Sequence, residues 1–285
     1  MTEQAPRAGR RAPEAVAVVG VGLIGGSFAL ALRASGFAGR IIGVSSPEAV
    51  RVAIESGIID EGLPLADAAA IADLIYLARP IAGILAVLDE LDSHVKPGTL
   101  ITDAGSTKSA ICARAAEKIH RGRFVGGHPM AGKEARGASE AEASLFRGRP
   151  YILTSRCAEL EELIPSFGAR LEFISAEEHD ALVALTSHLP QLISTALAAS
   201  IGTEPDAVRV AGPAAMDLTR LALSPYEIWR DIFSTNGANI DAALGLFIAR
   251  LEGLRARLND ESKIKDEFEH AAEAARALRK SRTFA

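Results

Sequence analysis

The chain has 285 residues, 48% of them apolar and 24% charged, so it can bury a sizeable core in one or two domains and is not disordered in bulk. Acidic residues outnumber basic ones by 36 to 31, and a net charge of −5 argues against a nucleic-acid partner. Two cysteines, Cys112 and Cys157, are too few for a disulfide framework and fit a reducing, cytoplasmic setting.

Residues 1–13 are polar, carry Pro6, Pro13 and three arginines, and read as a disordered tail. From Ala15 to Leu32 there is no charge, a run long enough to suggest an export signal or a membrane span. Gly20, Gly22, Gly25 and Gly26 interrupt it, and each costs a helix about 1 kcal/mol relative to alanine. The run therefore divides into a buried strand (Ala15–Val19), a turn (Gly20–Gly22) and a helix (Ile24–Ala34), and no membrane partner is expected.

Further strands are expected at Ile41–Val44, Leu74–Ala78, Leu100–Thr102, Phe124–Val125, Tyr151–Leu153 and Leu171–Ile174. Helices are expected at Pro47–Glu55, Ile81–Leu91, Thr107–Ile119 and Ala158–Phe167. Apolar strands alternating with helices predict a mostly parallel sheet covered on both faces. After Ser175 the strand signals stop and helical periodicity takes over. The predicted architecture is a Rossmann-like dinucleotide-binding domain over 14–175 and an all-α domain over 176–285. Ile240, Leu244, Phe247, Leu251, Leu254 and Leu258 form a heptad-like seam. It serves either that domain's own core or a second copy of the chain.

Gly20-Val21-Gly22-Leu23-Ile24-Gly25 is a GxGxxG turn between a strand and a helix. Gly20 permits the tight turn, Gly22 lets a pyrophosphate approach, and Gly25 brings helix and strand together. Leu23 and Ile24 open the helix whose N-terminus faces the phosphates. The second strand ends in Ser45 and Ser46, without the acid that favours NAD. The serines, with Arg51, suit a 2′-phosphate and Glu48 a ribose, so NAD and NADP both remain open. No metal ligands are assigned. Asp103-Ala104-Gly105-Ser106-Thr107-Lys108 ends a strand on the ligand edge of the sheet, where Ser106 meets a ligand, caps the next helix, or does both. His128 lies in the glycine-rich loop Gly126–Gly132 on the same edge and suits general-base chemistry.

Taken together, GxGxxG, DxGSxK and the segment Gly126-Gly127-His128-Pro129-Met130-Ala131-Gly132 resemble the prephenate/arogenate dehydrogenase family of tyrosine biosynthesis. The likeness continues through Ser187-His188-Leu189-Pro190, Asp217-Leu218-Thr219-Arg220 and Ser224–Ile232. It implies a homodimeric enzyme that oxidises and decarboxylates prephenate or arogenate with NAD(P). By resemblance His128 is the base and Ser106 orients it or the substrate hydroxyl. Arg220 binds a substrate carboxylate with its two-pronged guanidinium. His188 lies near substrate and nicotinamide, Trp229 belongs to the substrate side, Glu134 stands at the site entrance, and Pro80 borders the cofactor. Without the resemblance, His188 could serve a carbonyl freed by Pro190, and Arg220 could pair with Asp217 or Asp231. Ser224, Pro225 and Glu227 read as a helix start. Arg79, Lys133, Ala215 and Met216 depart from the family pattern. Two other classes fit less well. A β-hydroxyacid-type dehydrogenase would use a lysine early in the helical domain, and none occurs between Lys133 and Lys263. A non-catalytic dinucleotide sensor would not need His128 and Arg220 together.

Overall fold

The computed structural model describes residues 13–133 and 136–283. The expected tail over 1–12 and the entrance residue Glu134 lie outside the described residues. The chain runs β1 (Ala15–Val19), α1 (Leu23–Ala34), β2 (Arg40–Val44), α2 (Pro47–Glu55), β3 (Glu61–Gly62), α3 (Leu65–Ile71), β4 (Leu74–Leu77), α4 (Ile81–Leu91), β5 (Leu100–Asp103), α5 (Ser109–Lys118) and β6 (Arg123–Val125). It continues with β7 (Gly127–Pro129), β8 (Pro150–Leu153), α6 (Ala158–Ser166) and β9 (Arg170–Phe173). The helical half holds α7 (Ala176–Val183), α8 (Leu189–Gly202), α9 (Pro205–Arg209), α10 (Pro213–Thr219), α11 (Tyr226–Arg257) and α12 (Glu261–Thr283).

Six parallel strands form one sheet in the order β3-β2-β1-β4-β5-β6. Every residue of β1, β4 and β5 is buried, as expected for strands covered on both faces. The chain leaves β1 in one direction and returns beside it at β4. That opens a crevice beyond the carboxyl ends of these two strands, where open α/β sheets take their ligands. One face packs Phe28, Tyr76, Phe146 and Tyr151. On the other face Ile84, Leu88 and Ile101 share a core with Ala184, Leu189, Ile232 and Ile240 of the helical half. The uncharged run from Ala15 is thus a buried strand and a packed helix.

Several expectations change. The strands near Tyr151 and Leu171 do not extend the parallel sheet. They form a second sheet, β7-β8-β9, in which β7 runs antiparallel to β8. Its edge strand carries His128, opposite Ile152, so the histidine stands on a strand and not in a loop. Short β3 and alanine-rich α3 escaped the sequence pattern because neither shows a contrast between faces. The seam divides: Ile240 is buried, Leu244 and Phe247 pack on the core, and Leu251 and Leu258 are exposed. The helical path from Ala176 to Gly202 is long and apolar enough to cross a membrane by length and composition. It nevertheless buries His179, Asp180, His188, Gln191 and Ser194, polar groups that hydrogen-bond within the protein.

Candidate active site

The crevice above β1 has the shape a dinucleotide needs. Gly20 has φ +99°, its N–H donates to the Val44 carbonyl (2.8 Å), and a Cβ there would overlap the Ala78 carbonyl. A Cβ on Gly25 would strike the Gly20 carbonyl, whereas one on Gly22 would meet nothing within 4 Å. Helix α1 opens at Leu23 and Ile24 with no side-chain cap and no acid in its first turn, so its free N–H groups suit a phosphate. Past β2, Ser45 is exposed. Ser46 is engaged as the N-cap of α2, accepting from Ala49 N at 3.4 Å. Arg51 is held by Glu48 and Glu55, both at 2.7 Å. Pro80, exposed, is the N-cap residue of α4.

Beyond β5, Asp103 and Lys108 form an ion pair with both side chains fully buried. Such a pair is tolerated only when further hydrogen bonds satisfy both charges. Here Asp103 accepts from Gly105 N (2.8 Å) and Gly127 N (2.9 Å), and Lys108 Nζ donates to the Gly127 carbonyl (2.8 Å). The DxGSxK segment thereby fastens β5 to β7 and fixes the strand that carries His128. Ser106 is half-buried in this turn but does not cap the helix, which starts later, at Ser109. The Asp180 carboxylate, from α7, takes the N–H groups of Lys108 (2.7 Å) and Ser109 (2.9 Å) instead.

Asp180 also anchors a hydrogen-bonded chain. His179 Nδ1 lies 2.8 Å from Asp180 Oδ1, and His179 Nε2 lies 2.8 Å from His128 Nδ1. A carboxylate only accepts, so His179 donates from Nδ1. Its Nε2 then accepts from His128 Nδ1–H, and His128 Nε2 keeps a free lone pair. Burial, together with the neighbouring His179 and Lys108, pushes the His128 pKa well below its ordinary value. The ring is therefore neutral at physiological pH. Burial opposes ionisation of Asp180, but the hydrogen bonds from His179, Lys108 and Ser109 outweigh it and hold the carboxyl below its usual range.

A second arm comes from the helical half. His188 is the last residue of a π turn, Ala184–His188, that leads into Pro190. Asn236 Nδ2 donates to the Asp180 carbonyl (2.8 Å) and lies 3.2 Å from His188 Nδ1. His188 thus accepts at Nδ1 and presents Nε2–H as a donor, rather than serving a carbonyl freed by the proline. Burial lowers its pKa to about 4. Asn236 breaks the helical path of α11 (φ −133°, ψ 19°), which turns its amide toward these two partners. Trp229 meets the His188 ring edge-on, 6.0 Å between centroids, and donates Nε1–H to Ser224 Oγ (2.8 Å). Ser224 therefore holds the indole and is not a helix cap. Arg220 is exposed and opens a 3₁₀ turn over Arg220–Leu223. That turn is tied to α8 by Gln191 (2.8 Å to the Leu221 carbonyl) and Ser194 (3.0 Å from Ala222 N). Asp231 takes Ala82 N (2.9 Å) and Arg230 (3.2 Å).

Sequence reasoning missed His179, Asp180 and Asn236. Glu177, Glu178 and Asp180 read as ordinary acids of a helix start, and Asn236 is one residue inside a long helix. Among the described residues, no group of three or more His, Cys, Asp or Glu could hold a metal ion.

Comparison with known proteins decides what this arrangement belongs to. Residues 28–167 match the model for "Prephenate dehydrogenase, nucleotide-binding domain", and residues 175–272 match "Prephenate dehydrogenase, dimerization domain". The prephenate dehydrogenase of Lactococcus lactis is 32% identical over 93% of this chain and 77% of its own length.

The chain belongs to the prephenate dehydrogenase family.

Solved structures agree. The Aquifex aeolicus prephenate dehydrogenase in complex with hydroxyphenyl propionate and NAD+ superposes with TM-score 0.86 and 30% identity, covering 93% of this chain and 98% of that one. The Synechocystis arogenate dehydrogenase gives TM-score 0.82 and 29% identity, covering 93% and 99%. Members of the prephenate dehydrogenase family are NAD(P)-linked oxidoreductases, and the open first turn of α1 in this chain fits that cofactor.

Proposed function

We propose that this chain oxidises and decarboxylates prephenate, giving 4-hydroxyphenylpyruvate, with NAD+ as hydride acceptor. The observation that carries the reading is the Asp180–His179–His128 chain, which leaves a neutral histidine with its Nε2 lone pair free. His128 Nε2 accepts the ring hydroxyl proton, and Ser106, in the turn beside β7, orients that hydroxyl. Arg220 holds a substrate carboxylate, His188 donates Nε2–H to the substrate, and Trp229 forms the apolar wall beside it. Glu134, which lies outside the described residues, is assigned to the entrance by the resemblance alone. When bound, the nicotinamide supplies the hydride acceptor, and loss of CO2 aromatises the ring.

Gly20, Gly22, Leu23, Ile24, Gly25, Ser45 and Pro80 line the cofactor's place in this reading. NAD is favoured over NADP because Arg51 is already neutralised by two carboxylates and Ser46 by its own helix. A 2′-phosphate would meet Glu48 there. Arogenate is the second reading, supported by the likeness to the Synechocystis enzyme. Residues 14–175 then bind the dinucleotide, and 176–285 bind substrate and pair two copies. Met216, Leu218, Leu223, Tyr226, Leu251 and Leu258 are large apolar side chains exposed in this half, surface that such a homodimer would cover. Its place is cytoplasmic, in keeping with the two free cysteines. Prephenate and arogenate, each offered with NAD+ and NADP+ and followed by nicotinamide absorbance, test all of this at once. Turnover of prephenate with NAD+ is expected to be fastest. No turnover in any pair would sink the assignment.

A further inference from the structure

Arg79 stands two residues past the end of β4, at the carboxyl edge of the sheet. It is exposed and makes no ion pair among the described residues. Two missing side chains shape its course. Its Cγ lies 3.0 Å from where a Cβ of Gly20 would be, and its Nε 3.2 Å from where a Cβ of Gly83 would be. Arg79 therefore lies in a slot between the phosphate turn and the first turn of α4. The slot runs from the phosphate turn, beside which the Arg79 stem lies, to the first turn of α4, which its guanidinium reaches. The carboxylate at this helix start, Asp231, accepts from Ala82 N and pairs with Arg230, so it compensates the helix end and does not pair with Arg79.

We propose that Arg79 binds the diphosphate of the dinucleotide from the β4 side, opposite the N–H groups of α1. The inference rests on the dinucleotide reading of the crevice. Its geometry selects the diphosphate over the 2′-phosphate. The latter belongs past the end of β2, which lies on the far side of β1 from β4. With strands about 4.8 Å apart, that is on the order of 10 Å away. The diphosphate instead lies over the β1 turn, next to β4. A planar guanidinium suits two phosphate oxygens at once.

Calorimetric titration of the cofactor-free chain with ADP-ribose, NAD+ and NADP+ tests the assignment without turnover. Arg79→Ala is expected to weaken all three ligands by the same factor, about tenfold for an exposed charge-assisted contact. Arg79→Lys recovers part of the loss, and the thermal unfolding curve stays in place because Arg79 is exposed. An unchanged ADP-ribose affinity in Arg79→Ala overturns the proposal. A loss confined to NADP+ also overturns it, since it would place the guanidinium at the 2′-phosphate. So does a raised KM for prephenate with ADP-ribose binding intact, which would make Arg79 a substrate ligand. If the unaltered chain binds no ADP-ribose, the dinucleotide reading itself fails, and the proposal with it.

Discussion

The two walls of the proposed site are built on different principles. The β1 wall is local: Gly20, Gly22 and Gly25 lie within six residues, and the backbone does the work through a positive φ, an open position and a close approach. The opposite wall is assembled over distance. His128 is supported by His179, fifty-one positions away, and His188 by Asn236, forty-eight positions away. Its parts come from a strand, two helices and a kink, and Asp180 joins them while closing the start of α5. A cofactor shared by many enzymes needs only a generic backbone cradle. A reaction-specific base needs a set tautomer, and that of His128 is set by side chains brought from α7.

Removing the proposed base should give the largest effect. His128→Asn removes the proton acceptor and is expected to lower kcat by about 10²–10⁴-fold, with KM for the substrate changing little. Near-normal turnover would remove His128 from the chemistry. Asp180→Asn is next. It takes away the acceptor that sets both histidine tautomers, so kcat should fall by about 10²-fold while the NAD+ dissociation constant stays within about twofold. Because Asp180 also closes α5, the same change should cost about 2–4 kcal/mol of stability. A purely structural Asp180 would show the stability loss without the kcat loss in the folded fraction.

The contrast between the walls also explains what the sequence made legible. The parallel sheet, the GxGxxG turn and the helical half follow from patterns that repeat within ten or so residues. His128 and His188 stood out through motifs, as did Ser106, Arg220 and Trp229. Their supports did not. Asp180 looks like any acid within a short helix, and only its bonds to Lys108, Ser109 and His179 show otherwise. Gly126 and Gly127 signal a loop, yet a Cβ on Gly127 would strike the Asp103 carbonyl. The glycine is there so that β7 can lie against β5. Ser224 carries the signature of a helix cap and serves Trp229 instead. For Asp180 and Gly127 a local signal was overruled by a partner far away in the chain, and for Ser224 by an indole five residues on.

Acid should expose the distant wall selectively. His188 has its pKa lowered from 6.5 to about 4 in the folded chain, and burial lowers His128 in the same direction. Between these values the unfolded chain binds a proton at His188 that the native chain refuses, so stability rises with pH. The contribution is complete above about pH 6.5 and is lost as pH falls toward 4. His188 alone accounts for about 3 kcal/mol across that window. His188→Gln should flatten the acid limb of a stability profile measured by denaturant titration. An unchanged limb would mean that His188 is not buried as described.

The smallest effect tests the local wall. Ser46 Oγ accepts from Ala49 N at 3.4 Å, a long and exposed cap, so Ser46→Ala should cost about 0.5–1 kcal/mol at most. The hydroxyl is directed into its own helix rather than toward the crevice, and Arg51 beside it is held by Glu48 and Glu55. The ratio of NAD+ to NADP+ affinity should therefore barely move. Asp180 and Ser46 both cap helices, but one is borrowed from the helical half and the other is three residues from its donor. Only the borrowed cap should couple stability to turnover. If Ser46→Ala instead weakened NADP+ alone by tenfold or more, the end of β2 would be a 2′-phosphate site after all. The preference for NAD+ would then have to be withdrawn.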